Sequence, residues 1–230
     1  MGAVPRPPTL AQTLIRESMT GRELLRLPIH TPSLLRAPRG DGRPVLLLPG
    51  LGATDASLLP LRRYLERLGH DVHGLRLGRM TADVRGTVPL VVDRVRALHA
   101  RTGRSLALVG QSIGGVLARE AARELPASVR RVVTLGSPVV GGPEYTATAG
   151  RYSAAERDRI RARVAERSRV PIVAPITAIW SANDGIVTPA ACVDTGARGV
   201  EHVEVTSSHL GMGLDPDVWL IVAERLAPRT

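Results

Sequence analysis

From residue 44 to residue 227 the hydrophobic pattern alternates between two periods. Short apolar runs of strand character stand at PVLLLP (44–49), DVHGLRL (71–77), SLALVGQ (105–111), VRRVVTLGS (129–137), PITAIWS (175–181) and VEHVEV (200–205). Between them lie longer segments with apolar residues three and four apart: SLLPLRRYLERLG from 57, TVPLVVDRVRALHARTG from 87, IGGVLAREAAREL from 113 and PDVWLIVAERLA from 216. Several end at Gly or Pro, and Asp215 before Pro216 reads as an N-cap with proline in the first turn. Strands alternating with helices predict βαβ units and a mostly parallel sheet. LLLP, LALVG and VVTL are nearly continuous apolar runs, as buried parallel strands are.

Two regions break the alternation. Residues 1–43 carry the amphipathic segment LAQTLIRESMTGRELLRL and then the turn-rich APRGDGRP, and they predict an N-terminal helix packed over the core. Residues 139–174 form an unusually long connection between two strands, and such connections carry structure of their own or a function. Within it Ser153 and Glu156 fit a capping box that opens a polar helix running to about Ser168. Lacking a wide apolar stripe, this helix is expected on the surface as a small cap. Residues 44–230 are therefore expected to be one domain with a cap insertion at about 139–174.

A chain of 230 residues, 43% of them hydrophobic, is long enough for one sizeable core. The formal charge of +10 comes from 31 arginines, with no lysine, against 21 acids. Those arginines are interleaved with acids in segments such as AAERDRIRARVAERS, and aromatic residues make up only 2% of the chain, so bases would find no stacking platform. A solvated basic surface is the expectation, with no nucleic-acid partner. No run reaches the roughly 18 apolar residues of a membrane span, and the N-terminus lacks the layout of a secretory signal, which makes a cytoplasmic protein the expectation. The single cysteine, Cys192, excludes an intramolecular disulfide and gives no basis for a cysteine-built metal site. Neither a metal cluster, a dinucleotide fingerprint nor a phosphate loop is present, so no cofactor is expected.

The stretch LVGQSIGG (108–115) carries the candidate chemistry. Gly110-Gln111-Ser112-Ile113-Gly114 fits a nucleophile elbow, in which a serine occupies a sharp turn between strand and helix. The flanking glycines relieve the crowding that this turn creates. A serine hydroxyl needs a base and a group to orient that base. Of the six histidines, His30, His70, His73 and His99 precede Ser112, and His202 lies within a predicted strand. His209 stands just beyond the last strand in the small-residue loop TSSHLGMG. The acid candidate is Asp184, in NDG directly after PITAIWS, although Asn-Asp-Gly is also an ordinary turn sequence. Asp194 is its nearest competitor, farther from the strand end and within a predicted short helix. Backbone N–H donors for an oxyanion are expected at Ile113, after the serine, and at Leu51 in the loop LPGLGA.

With LLLPGLG, LVGQSIGG, TLGSP, NDGIV and SSHLGMG in this order over about residues 44–227, the chain resembles the α/β-hydrolase superfamily, and within it the small lipase- and esterase-like members. The resemblance implies an α/β-hydrolase fold, Ser112 as nucleophile, His209 as general base and then acid, Asp184 as its orienter, and Leu51 and Ile113 as oxyanion donors. It also implies a small-molecule ester or lipid-like substrate. Many relatives begin the donor loop with His-Gly where this chain has Pro49-Gly50, so a bracing side chain is missing. Acyl transfer to another nucleophile, thioester hydrolysis, or a non-catalytic binding role on the same fold remain open at this point.

Overall fold

The computed structural model describes residues 6–228 other than Gly196 and Arg198, so the first five residues of the N-terminal segment and the last two of the chain lie outside the described residues. Six parallel strands, β1 (Pro44–Leu48), β2 (Asp71–Gly74), β3 (Leu106–Gln111), β4 (Val129–Leu135), β5 (Ile176–Ser181) and β6 (Val200–Val205), form one sheet in the order β2-β1-β3-β4-β5-β6. Every residue of β1 and β3 is buried, whereas the edge strand β2 alternates buried with half-buried positions and the edge strand β6 buries only Val205. The order reverses between β1 and β3, which pair with Leu48 beside Gly110. A reversal of this kind opens a crevice at the carboxyl ends of the two strands.

The helices are α1 (Leu10–Glu17), α2 (Gly21–Leu25), α3 (Leu27–Arg36), α4 (Leu59–Arg67), α5 (Val84–Thr102), α6 (Ile113–Glu124), α7 (Ala154–Ser168), α8 (Pro189–Cys192) and α9 (Pro216–Leu226). Alternate strand residues feed two cores. Val45, Leu47, Ala107 and Val109 pack with Leu61 and Leu65 of α4 and Val218 and Val222 of α9. Leu46, Leu48, Leu106 and Leu108 pack with Val91 and Val95 of α5 and Leu117 and Ala121 of α6. The period of two in the strands and the apolar stripes of the helices are thus one fact seen from both sides. Helix α7 buries none of its residues and lies on the surface between β4 and β5, opened by the Ser153–Glu156 capping box.

Three departures from the sequence expectation bear on the fold. Strand β2 stops at Gly74 because both Asp55 carboxylate oxygens draw in the chain beyond it, taking the N–H groups of Leu75 (3.1 Å) and Arg76 (2.9 Å). A Cβ on Gly74 would stand 2.3 Å from Asp55 Oδ2. Helix α5 starts at Val84, where the Asp83 side chain caps Gly86 N–H at 2.9 Å, and not at Thr87. The N-terminal segment forms three helices in place of one, and the third carries Pro32 in its interior. Leu34 of α3 enters the α4–α9 core, where Tyr64 and Trp219 stack with ring centroids 5.4 Å apart.

Replacing Trp219 by Ala removes that stack and the 3.0 Å hydrogen bond from its indole N–H to the Gly213 carbonyl, and should destabilise the fold by about 3–5 kcal/mol in urea unfolding. Leu90→Ser, at a half-exposed position of α5, should change it by less than about 0.5 kcal/mol.

Candidate active site

The turn between β3 and α6 is built by contacts that only glycine permits. Ser112 has φ +52° and ψ −123°, one of two non-glycine residues with positive φ among those described. Such backbone costs about 1–3 kcal/mol and persists only where its surroundings hold it. Here Ser112 N–H donates to the Leu135 carbonyl (2.8 Å), and Gly115 N–H to the Ser112 carbonyl (3.0 Å). A Cβ on Gly110 would meet the Gly114 carbonyl at 2.3 Å, one on Gly114 the Leu48 carbonyl at 2.2 Å, and one on Gly115 the Ser137 hydroxyl at 2.0 Å. The third of these contacts does not follow from the motif, which concerns only the glycines two residues either side of the serine.

Asp184 lies in the loop after β5 and His209 in the loop after β6, both almost wholly buried. His209 Nδ1–H donates to Asp184 Oδ2 at 2.7 Å. The other carboxylate oxygen accepts the N–H groups of Ile186 (2.8 Å) and Val187 (2.7 Å), which fixes the plane of the carboxylate. Burial works against a charged imidazole, but the Asp184 charge and hydrogen bond, together with the Glu17 charge, outweigh it and raise the His209 pKa above its ordinary value. The competitor Asp194 lies just past α8 and is held by Arg119 at 2.5 Å. Cys192 is buried, and burial together with the Asp184 charge pushes its thiol well up, so it supplies no thiolate.

Ser112, His209, Leu51 and Ile113 line one cavity of about 1030 Å³. Among the described residues neither Leu51 N–H nor Ile113 N–H is given to another group, so both remain available as donors. Ser112 Oγ likewise makes no hydrogen bond there.

No protein-family model and no curated protein sequence matches the chain. Solved structures do. A metagenome-derived lipolytic enzyme is 20% identical with a TM-score of 0.61, over 82% of this chain and 93% of that one. A Bacillus licheniformis lipase in its mature form is 15% identical with a TM-score of 0.60, over 82% and 93%. A thioesterase domain from the curacin biosynthetic pathway is 12% identical with a TM-score of 0.59, over 81% and 91%. The chain has the α/β-hydrolase fold.

On this α/β-hydrolase scaffold the candidate residues stand after β1, β3, β5 and β6, and side chains absent from the sequence expectation tie their loops together. Gln111, the residue before Ser112, is buried and donates from its side-chain amide to the His209 carbonyl at 3.0 Å. Glu17, at the end of α1, accepts from Gly185 N–H (2.9 Å) and His209 N–H (3.0 Å) on one oxygen and from Leu210 N–H (2.9 Å) on the other. Thr13 and Arg16 reach the carbonyls of Gly185 (2.6 Å) and Asp184 (2.9 Å). Glu23 accepts from Ser208 N–H at 3.0 Å, and Arg26 neutralises the buried Asp215, whose carboxylate also takes the Ser207 hydroxyl at 2.5 Å. The N-terminal segment is thus a strap that joins the Asp184 loop to the His209 loop. Its signal in the sequence is the polar face of the amphipathic segment, where Thr13, Arg16, Glu17 and Thr20 recur at helical spacing.

The candidate donor loop after β1 has no histidine brace, and the segment before α5 holds it instead. Gly52 N–H donates to the Met80 carbonyl (2.9 Å), Met80 N–H to the Ala53 carbonyl (2.8 Å), and the Arg79 guanidinium to the Gly52 carbonyl (2.6 Å). The cap contributes Val139, Ile160 and Val164 to the cavity wall, whereas the strap reaches that wall through Thr20. Helix α7 is clamped to α6 by Arg167, which pairs with Glu120 (2.6 Å) and Glu124 (2.7 Å).

The His209 imidazole should titrate above the ordinary histidine value of about 6.5 in NMR, and Glu17→Gln should lower its pKa by removing one favourable charge. Because folding favours the protonated ring, its contribution to stability is full below about pH 6.5 and is lost as pH rises through the raised value.

Proposed function

We propose that the protein is a serine carboxylic-ester hydrolase that works through an acyl-enzyme on Ser112. The observation that carries this reading is the buried 2.7 Å pair of His209 and Asp184, which opens on the same cavity as a serine held in strained backbone. Asp184 engages Nδ1, so Nε2 is the nitrogen left to act as base. In the first step Ser112 Oγ attacks the ester carbonyl carbon and its proton passes to His209. The carbonyl electrons move to oxygen, where the N–H groups of Leu51 and Ile113 stabilise the charge; one such donor is worth about 3–4 kcal/mol in the transition state. The tetrahedral intermediate then collapses, and the departing alkoxide takes the proton from His209. Water, giving a proton to the same imidazole, attacks the acyl carbon, and Ser112 leaves with that proton restored.

The apolar part of the cavity wall, including Val84, Val88, Val139, Ile160 and Val164, suits the acyl part of an ester. A second reading has one specific support, the likeness to a thioesterase domain: the same steps cleave a thioester, with a thiol leaving in place of the alcohol. Acyl transfer uses them too, with another alcohol or an amine in place of water. Product analysis in the presence of competing nucleophiles separates transfer from hydrolysis, and parallel ester and thioester substrates rank the leaving groups.

A fluorophosphonate probe should label the wild-type protein at Ser112 and leave Ser112→Ala unlabelled; a folded protein that resists the probe would overturn the proposal. Ser112→Ala should lower turnover of p-nitrophenyl esters by about four to six powers of ten. The acid limb of kcat/KM should follow the raised His209 pKa, with activity falling as pH drops through it because the protonated ring cannot accept the serine proton.

A further inference from the structure

The strap is amphipathic in the reverse of the usual sense. Its polar residues face inward onto the site loops: Thr13, Arg16 and Glu17 bond to Gly185, Asp184 and His209, while Thr20 and Glu23 bond to Ser208. Leu27 and Leu34 of α3 pack on the core, but most of the strap's large apolar residues face outward. Leu10, Leu25, Ile29 and Leu35 are 75%, 78%, 79% and 76% exposed, and Leu14 and Ile15 stand beside them. Among the described residues, seven of the fourteen exposed large hydrophobic residues fall within residues 10–35, whereas solvated surfaces scatter such residues singly.

Two features say what covers this face. The first is charge. Residues 6–43 hold seven arginines and three acids, and two of those acids, Glu17 and Glu23, are spent on inward hydrogen bonds. Arg6, Arg22 and Arg36 make no ion pair among the described residues, so the outer side of the strap is apolar and fringed with unneutralised cations. The second is continuity with the cavity. Leu210, whose N–H is held by Glu17, is 54% exposed and lines the cavity beside His209. The strap and the cavity wall therefore share the His209 loop. No described helix is long and apolar enough to cross a membrane.

We propose that residues 10–35 dock the protein on an anionic lipid surface, with the leucine and isoleucine side chains entering the headgroup boundary and the arginines meeting lipid phosphates. This binding is independent of Ser112 chemistry and is measured without turnover.

The wild-type protein should sediment with vesicles of phosphatidylcholine and phosphatidylglycerol, much less with phosphatidylcholine alone, and less as salt is raised. Leu25→Asp combined with Ile29→Asp should weaken partition by about tenfold or more, with melting temperature and turnover of a soluble ester unchanged. Arg22→Glu combined with Arg36→Glu, which leaves every packed residue in place, should weaken it in the same direction. Failure to sediment with phosphatidylglycerol vesicles would overturn the proposal. So would a wild-type dimer in sedimentation velocity that Leu25→Asp with Ile29→Asp converts to monomer, because the face would then belong to a second copy. Loss of ester turnover with vesicle binding intact would count against the hydrolase reading alone.

Discussion

The first turn of α6 lies directly against the end of β1, and the geometry of the site depends on that contact. It exists because Gly114 carries no side chain where a Cβ would come within 2.2 Å of the Leu48 carbonyl. With the helix seated there, Ser112 is forced into left-handed backbone at the mouth of the crevice, and the N–H of Ile113 is left without an intrahelical acceptor. The parallel pairing of Leu48 with Gly110 brings the donor loop beside the same point. The candidate nucleophile and the candidate donors therefore share one cause, the reversal of strand order between β1 and β3.

Holding the histidine is a separate problem, because its loop and the Asp184 loop both leave the sheet as irregular backbone. Buried N–H groups in such loops must find acceptors. Glu17 and Glu23 supply them from the N-terminal strap, and Gln111 joins the same loop to the serine turn. An ionised carboxylate that accepts several N–H groups forms stronger bonds than a neutral acceptor does. The Glu17 charge also favours the protonated imidazole, so one residue influences both the position and the proton affinity of His209. Facing its polar side inward leaves the strap with an apolar exterior, which is the origin of its proposed surface role.

The elements of the core are legible in the residues themselves. A period of two and a period of three to four are local properties, and burial on a twisted parallel sheet enforces them. Asp184 and His209 are legible as candidates because both follow predicted strands, and folding brings them within 2.7 Å. The ends of the elements are less so. Strand β2 stops short because Asp55, distant in sequence, captures the next two N–H groups, and α5 begins early because Asp83 caps it.

By itself the sequence determined the alternation of strands and helices, the glycine spacing around Ser112, the capping box of α7 and the order in which serine, acid and histidine follow their strands. Each of these is written in residues close together along the chain. Only the tertiary structure decided that Glu17 holds Gly185 and His209, across separations of 168 and 192 residues, that Met80 braces a candidate donor loop lacking a histidine, and that most leucines of the strap face outward. An amphipathic pattern reveals that a helix has two faces. Which face meets the protein depends on the groups waiting there, and here those groups are the unsatisfied N–H donors of the site loops.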